Sequence, residues 1–363
     1  MTAGKQRNWR QLGLLCSLIV AGCSTAPSTQ LMEDFRSTLA RQATDAQADD
    51  SRTVPGSEGW LFSVPELLHV SSGQFWSDDR TAMESTSDGT KGDPLTVILD
   101  FKDQLSSLGV ELLLVPVPPK VLIFADKVQT SQLALPVPPP RLDQFHIEFY
   151  ALLRDADVDV LDLTETFIRE RFSMESPLYC RTDTHWSSSG CVVAARQIAE
   201  TVRERNWFSS LESTPESYRS QWLSSSIHGN LTSERVELTD REEIQLRTVS
   251  RESPTGLENV STNPDSPIIL LGDSHTLVFH TGGSMHATGS GLADQLAAEL
   301  GLSVDLIAME DPSAAASRTE LLKRARGDSD YWQKKRLVIW CFSALEFTNA
   351  DEWSLLPIDG PLF

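Results

Sequence analysis

The 363-residue chain is long enough for one large domain or two small ones with a substantial buried core. Its 40% hydrophobic and 23% charged residues exclude a mainly disordered chain. A formal charge of −20 would repel phosphate backbones, which argues against a nucleic-acid partner. No apolar stretch reaches the roughly 18 residues that a spanning helix of the mature protein needs.

Residues 1–22 read as an export signal. Lys5, Arg7 and Arg10 form a basic region, Leu12 to Val20 an apolar one, and Val20-Ala21-Gly22-Cys23 places small residues before a cysteine. That order fits a lipobox, in which the Cys23 thiol carries lipid and begins the mature chain; the alternative is an ordinary cleaved signal with Cys23 incidental. Removing residues 1–22 takes away three positive charges and no acid, leaving −23. Residues 23–55, rich in Ser, Thr, Asp, Ala and Gln, read as a flexible linker with one helix near Leu31–Ala46. Beyond Cys16 and Cys23 the chain has Cys180, Cys191 and Cys341, an odd number, so at most one disulfide forms within it. A Cys180–Cys191 bridge and free thiols both remain open. No CxxC pair or His/Cys cluster has zinc spacing, and neither a metal nor a cofactor is expected.

From Gly56 onward strands alternate with helices. Leu95–Leu108 has helical spacing and stops at Gly109, and Glu111–Val117 is a nearly continuous apolar run, as a strand buried on both faces would be. A helix over 141–154 and a strand over 158–163 follow, and Ser187 can cap a helix carrying Ala195, Ile198, Ala199 and Val202 on one face. Residues 205–265 are polar and irregular and read as an insertion or cap. Further strands are expected over 267–271, 304–309 and 336–342, with helices over 291–300 and 314–326. The pattern predicts an α/β three-layer sandwich with a mainly parallel sheet, in one domain over 56–363.

The residues for chemistry follow from that topology. Active sites of open parallel sheets lie beyond the strands' carboxyl ends, and there Pro267–Leu271 runs into Gly272-Asp273-Ser274. Gly-Asp-Ser alone is ordinary turn chemistry. However, Tyr179-Cys-Arg-Thr-Asp-Thr-His-Trp186 supplies Asp183 and His185 two residues apart, on one side of an extended segment. A serine needs a base, and the base a carboxylate to fix its tautomer. Lys120 at a strand end could contact substrate, although a solvated lysine is the plainer reading. Arg181 could meet a substrate carboxylate or form an ion pair, and Trp186 could stack on a sugar, whereas Trp60 and Trp340 sit in apolar runs and read as core.

Asp-Thr-His-Trp before a helix, followed later by a strand ending in a Gly-x-Ser turn, resembles the alginate O-acetyltransferase family (AlgX/AlgJ-like), whose domain is SGNH-hydrolase-like. Gly56–Phe62, Val115-Pro-Val-Pro-Pro-Lys120, His228-Gly-Asn-Leu231 and Gly289–Leu300 are similar to segments of that family, so the likeness covers about residues 56–350. Gly-Asp273-Ser stands where the family usually has Gly-Thr-Ser. Ser343-Ala-Leu-Glu-Phe347 lacks an Arg expected just before the acid. The resemblance implies Ser274 as nucleophile, His185 as base and Asp183 as its orienter, with the Asp/His pair preceding the serine as in a circular permutation.

Together with the export signal and lipobox, it points to a lipid-anchored periplasmic enzyme that moves acetyl groups onto an exopolysaccharide or cell-envelope glycan through an acetyl-serine. A membrane-bound O-acyltransferase would supply the acetyl groups. Ser24 after Cys23 leans toward the outer membrane. A carbohydrate or lipid acetylesterase is the first alternative, and a non-catalytic glycan-binding scaffold lipoprotein the second. The net charge favours a neutral or weakly acidic glycan.

Overall fold

A computed structural model describes residues 27–77, 92–129, 133–211, 216–232, 241–310, 314–349 and 353–358. The signal region and Cys23 lie outside the described residues. Among the described residues there are ten strands: β1 Thr53–Pro55, β2 Leu61–Ser63, β3 Glu111–Val117, β4 Asp159–Val160, β5 Tyr218–Ile227, β6 Glu242–Ser253, β7 Gly256–Asn259, β8 Ile268–Gly272, β9 Asp305–Ala308 and β10 Leu337–Ser343. The central sheet is five-stranded and parallel, in the order β4-β3-β10-β8-β9.

The apolar runs form this sheet because their alternate residues feed two different cores. Leu113, Val115, Ile268, Leu270, Ile339 and Cys341 face one core with helices Ser188–Arg203 and Leu292–Leu300. Leu112, Leu114, Ile269, Leu271, Val338 and Trp340 face the other, with helices Pro94–Ser107, Gln144–Asp155 and Ala314–Gly327. The three-layer α/β sandwich is therefore as the sequence predicts, and each helix lies within a few residues of its expected position. Trp60 and Trp340 are core residues.

Two expectations change, and one point left open is decided. Residues 23–55 are largely not a linker: helix Thr29–Ala48 is capped by the Ser28 hydroxyl, which accepts the Leu31 N–H at 3.1 Å. It buries Phe35, Leu39 and Ala43 in the first core, and β1 then pairs antiparallel with β2. A narrow apolar stripe sufficed to dock a segment whose composition is polar. The region 205–265 contains a three-stranded antiparallel sheet, β5-β6-β7. It adjoins the domain through the inward residues Ile244, Leu246 and Val249 of β6. Cys180, Cys191 and Cys341 are all free and buried, and burial pushes each thiol well above its ordinary range.

Candidate active site

Every strand end that matters converges on one edge. Straight after β8, Asp273 caps the short helix Ser274–Leu277, its Oδ1 accepting the His275 N–H at 2.9 Å. Its Oδ2 accepts the Ser343 N–H at 2.7 Å, which ties the turn to the end of β10. Gly272 is required there by close approach, since a Cβ would lie 2.2 Å from the Cys341 carbonyl and 2.5 Å from Thr276 Cγ2. These contacts leave Ser274 half-buried at the floor of a cleft of about 430 Å3.

Across the cleft, the loop before helix Ser188–Arg203 delivers Asp183 and His185. His185 Nε2 lies 2.9 Å from Ser274 Oγ, and its Nδ1 lies 2.7 Å from Asp183 Oδ1. Asp183 Oδ1 also accepts the His185 backbone N–H at 3.0 Å, while Oδ2 accepts the Asn230 N–H at 2.9 Å and faces His286 Nε2 at 3.0 Å. Burial alone would raise the Asp183 carboxyl, but the hydrogen bonds from His185 and His286 outweigh it and hold the group well below the ordinary carboxylate range. Asp183 therefore stays ionised and fixes His185 with Nδ1 protonated, which leaves Nε2 as an acceptor facing Ser274 Oγ.

The loop that carries the pair is held by charge on both sides of its backbone. Lys120 is 1% exposed, and its ammonium donates to the carbonyls of Cys180, Arg181 and Asp183 at 2.9, 3.1 and 2.8 Å. Opposite, the Glu242 carboxylate accepts the Arg181 and Thr182 N–H groups at 2.7 and 2.9 Å. Asn230 closes the end, its Oδ1 accepting the Thr184 N–H at 3.0 Å. Gly229 makes this possible: a Cβ there would sit 2.0 Å from the Thr182 carbonyl.

Lys120 is thus neither a solvated lysine nor a substrate contact. Its three donors are spent on backbone carbonyls, and burial pulls its ammonium below the ordinary lysine range against the pull of Glu66 and Asp183. Trp186 is also withdrawn from substrate: it is fully buried, with its indole N–H on the His275 carbonyl at 2.9 Å. Arg181 is exposed and connects to the site through its backbone. Ser274, His185 and Asp183 are brought together as the sequence implies.

Asn230, Glu242 and His286 join the site without standing out in the sequence. The His228-Gly-Asn-Leu segment was the one available signal, and nothing near His286 marks it.

Residues 53–344 match the family described as SGNH hydrolase-like domain, acetyltransferase AlgX. The chain belongs to this AlgX acetyltransferase family. A relative named probable alginate O-acetylase AlgJ, from Pseudomonas aeruginosa, is 26% identical over 151 residues, 42% of this chain and 33% of that protein. This chain thus spans about a third of that relative's length. Among solved structures, the O-acetyltransferase domain of Pseudomonas putida AlgJ superposes with a TM-score of 0.57 at 20% identity, covering 82% of this chain and 92% of that one. Pseudomonas aeruginosa AlgX gives a TM-score of 0.57 at 16% identity, over 85% and 65% of the two chains. These likenesses establish the AlgX-family SGNH-like fold.

Proposed function

We propose that this chain is an O-acetyltransferase that moves acetyl groups onto the hydroxyls of a cell-envelope polysaccharide by way of an acetyl-Ser274. The observation that carries the reading is the unbroken relay from Ser274 Oγ through His185 to Asp183 at the floor of an open cleft. Family membership supports acetyl transfer as the chemistry.

In the first half-reaction His185 Nε2 takes the Ser274 proton while Oγ attacks the donor's acetyl carbonyl. Collapse of the tetrahedral intermediate breaks the bond to the leaving group, which receives the proton from His185. In the second half, His185 deprotonates the sugar hydroxyl, whose oxygen attacks the acetyl-serine carbonyl. The acetyl ester forms on the glycan, and Ser274 regains its proton. Asp183 remains charged throughout, stabilising the imidazolium in both halves.

The N-terminal order of basic, apolar and small residues before Cys23 supports lipid anchoring in the periplasm, with a slight lean to the outer membrane from Ser24. A membrane-bound O-acyltransferase is the proposed acetyl supplier. Among the described residues no helix is long and apolar enough to cross a membrane.

The test is turnover of 4-nitrophenyl acetate with intact-mass detection of the acetyl-enzyme. Wild type should gain one acetyl group, and Ser274→Ala, a hydroxyl removed from a turn, should fold normally and gain none. A folded Ser274→Ala protein with wild-type turnover would sink the reading. Cys23→Ala should leave the membrane fraction, and retention there would refute the anchor.

A further inference from the structure

His286 occupies a backbone geometry that side chains seldom accept. Its φ of 69° and ψ of −70° describe a positive-φ γ-turn, closed by the Ala287 N–H donating to the Met285 carbonyl at 2.9 Å. The turn is built firmly: Thr281 bridges Thr288, and Gly282 and Phe279 donate to Ala287 and Met285 at 2.9 and 2.8 Å. Such strain persists where the surroundings impose it and gathers at functional sites. Here its product is visible, because the turn lays the imidazole against the oxygen of Asp183 that His185 does not use.

We propose that His286 is a positioning residue for the acetyl-transfer reaction, acting through Asp183. With the Asn230 N–H it holds Oδ2, so that the carboxylate cannot rotate and Oδ1 stays in line with His185 Nδ1. Asp183 is then clamped between two imidazoles, one reacting and one fixed. This assignment rests on the acetyl-serine reading above. It requires His286 to donate from Nε2, which leaves Nδ1 as an acceptor in the neutral ring. His286 also lines a separate polar groove with Ser226, His228, Arg241 and Ser284, away from Ser274. It therefore reaches the reaction through the carboxylate and touches no reacting atom.

The experiment uses the full-length protein and 4-nitrophenyl acetate. His286→Gly relieves the positive φ and removes the donor, so it should be at least as resistant to urea as wild type while kcat falls roughly tenfold with KM unchanged, one charge-assisted hydrogen bond's contribution. His286→Gln restores a donor at the distance of Nε2 and should recover most of that loss. In an Asp183→Asn background, His286→Gly should cost nothing further, since both changes strike one unit. Wild-type kcat in folded His286→Gly, or full additivity with Asp183→Asn, would overturn the proposal. Ser274→Ala run alongside separates the two failures: activity there defeats the acetyl-serine reading, whereas an inactive Ser274→Ala beside a fully active His286→Gly defeats only the role of His286.

Discussion

Lys120→Met tests whether a buried charge, rather than packing, holds the reacting loop in place. Methionine fills most of the lysine volume, so little cavity opens beside Trp60 and Phe62, whose rings lie 5.7 and 5.6 Å from the ammonium. What disappears is the donor to three buried carbonyls. Each unsatisfied acceptor costs about 1–3 kcal/mol, hence about 3–9 kcal/mol together. Relief from burying an ammonium returns several kcal/mol. Glu66 meanwhile loses the positive charge that opposes its upward shift by burial. The net destabilisation should be about 3–5 kcal/mol, as for breaking a buried ionic network. That is within the reserve of about 5–15 kcal/mol that keeps a domain folded. Because the same carbonyls belong to the segment bearing Asp183 and His185, a displacement of about 1 Å should also lower kcat about a hundredfold. Urea unfolding followed by tryptophan fluorescence gives the first quantity, and 4-nitrophenyl acetate turnover the second. If Lys120→Met unfolds within about 1 kcal/mol of wild type and turns over normally, the bracing role assigned to Lys120 is wrong.

Gly229→Ala should destabilise the protein and lower turnover together, because a Cβ 2.0 Å from the Thr182 carbonyl must push Asn230 off Asp183; unchanged kcat would show that this clamp is dispensable. Burial holds His69 and His146, whose Nε2 atoms lie 2.8 Å apart, below the ordinary imidazole range. The unfolded chain thus binds more protons than the folded one below pH of about 6.5, and stability should be lost as pH falls through that region. His280, which Asp294 holds up against burial, works in the opposite sense. A double His69→Gln, His146→Gln variant should therefore show a shallower fall in urea midpoint from pH 7 to 5, and an unchanged slope would remove this pair as the cause. The cleft is lined by Glu66, Glu310, Glu346 and Asp273, with Lys120 the one lysine or arginine among its described residues. Neutral glycan acceptors should outcompete a polyuronate, and added salt should improve the polyuronate by screening; polyuronate binding that weakens with salt would refute this.

The central sheet was legible because β3, β8 and β10 are buried on both faces, which writes them as unbroken apolar runs. Asp183 and His185 were legible because their geometry is local, two residues apart in one loop. Asn230 and His286 were not, since each meets Asp183 only after the chain has folded back, and neither stands in a pattern that composition or period reveals. Lys120 misled for a related reason. An isolated lysine reads as solvated, and its burial depends on three carbonyls contributed some sixty positions later. Strand β5 escaped notice because its Ser-rich run is mostly exposed and shows no strong alternation.

The last strand of the sheet in chain order, β10, lies at its middle, between β3 and β8. Until residues 337–343 arrive, β3 with β4 and β8 with β9 are two separate pairs with no strand ladder between them. The Ser343 N–H that anchors the Asp273–Ser274 turn is missing as well. Synthesis order therefore delays both closure of the sheet and the Asp273–Ser343 contact until residues 337–343 have emerged. The proposed acetyl transfer would thus begin only with the final strand in place.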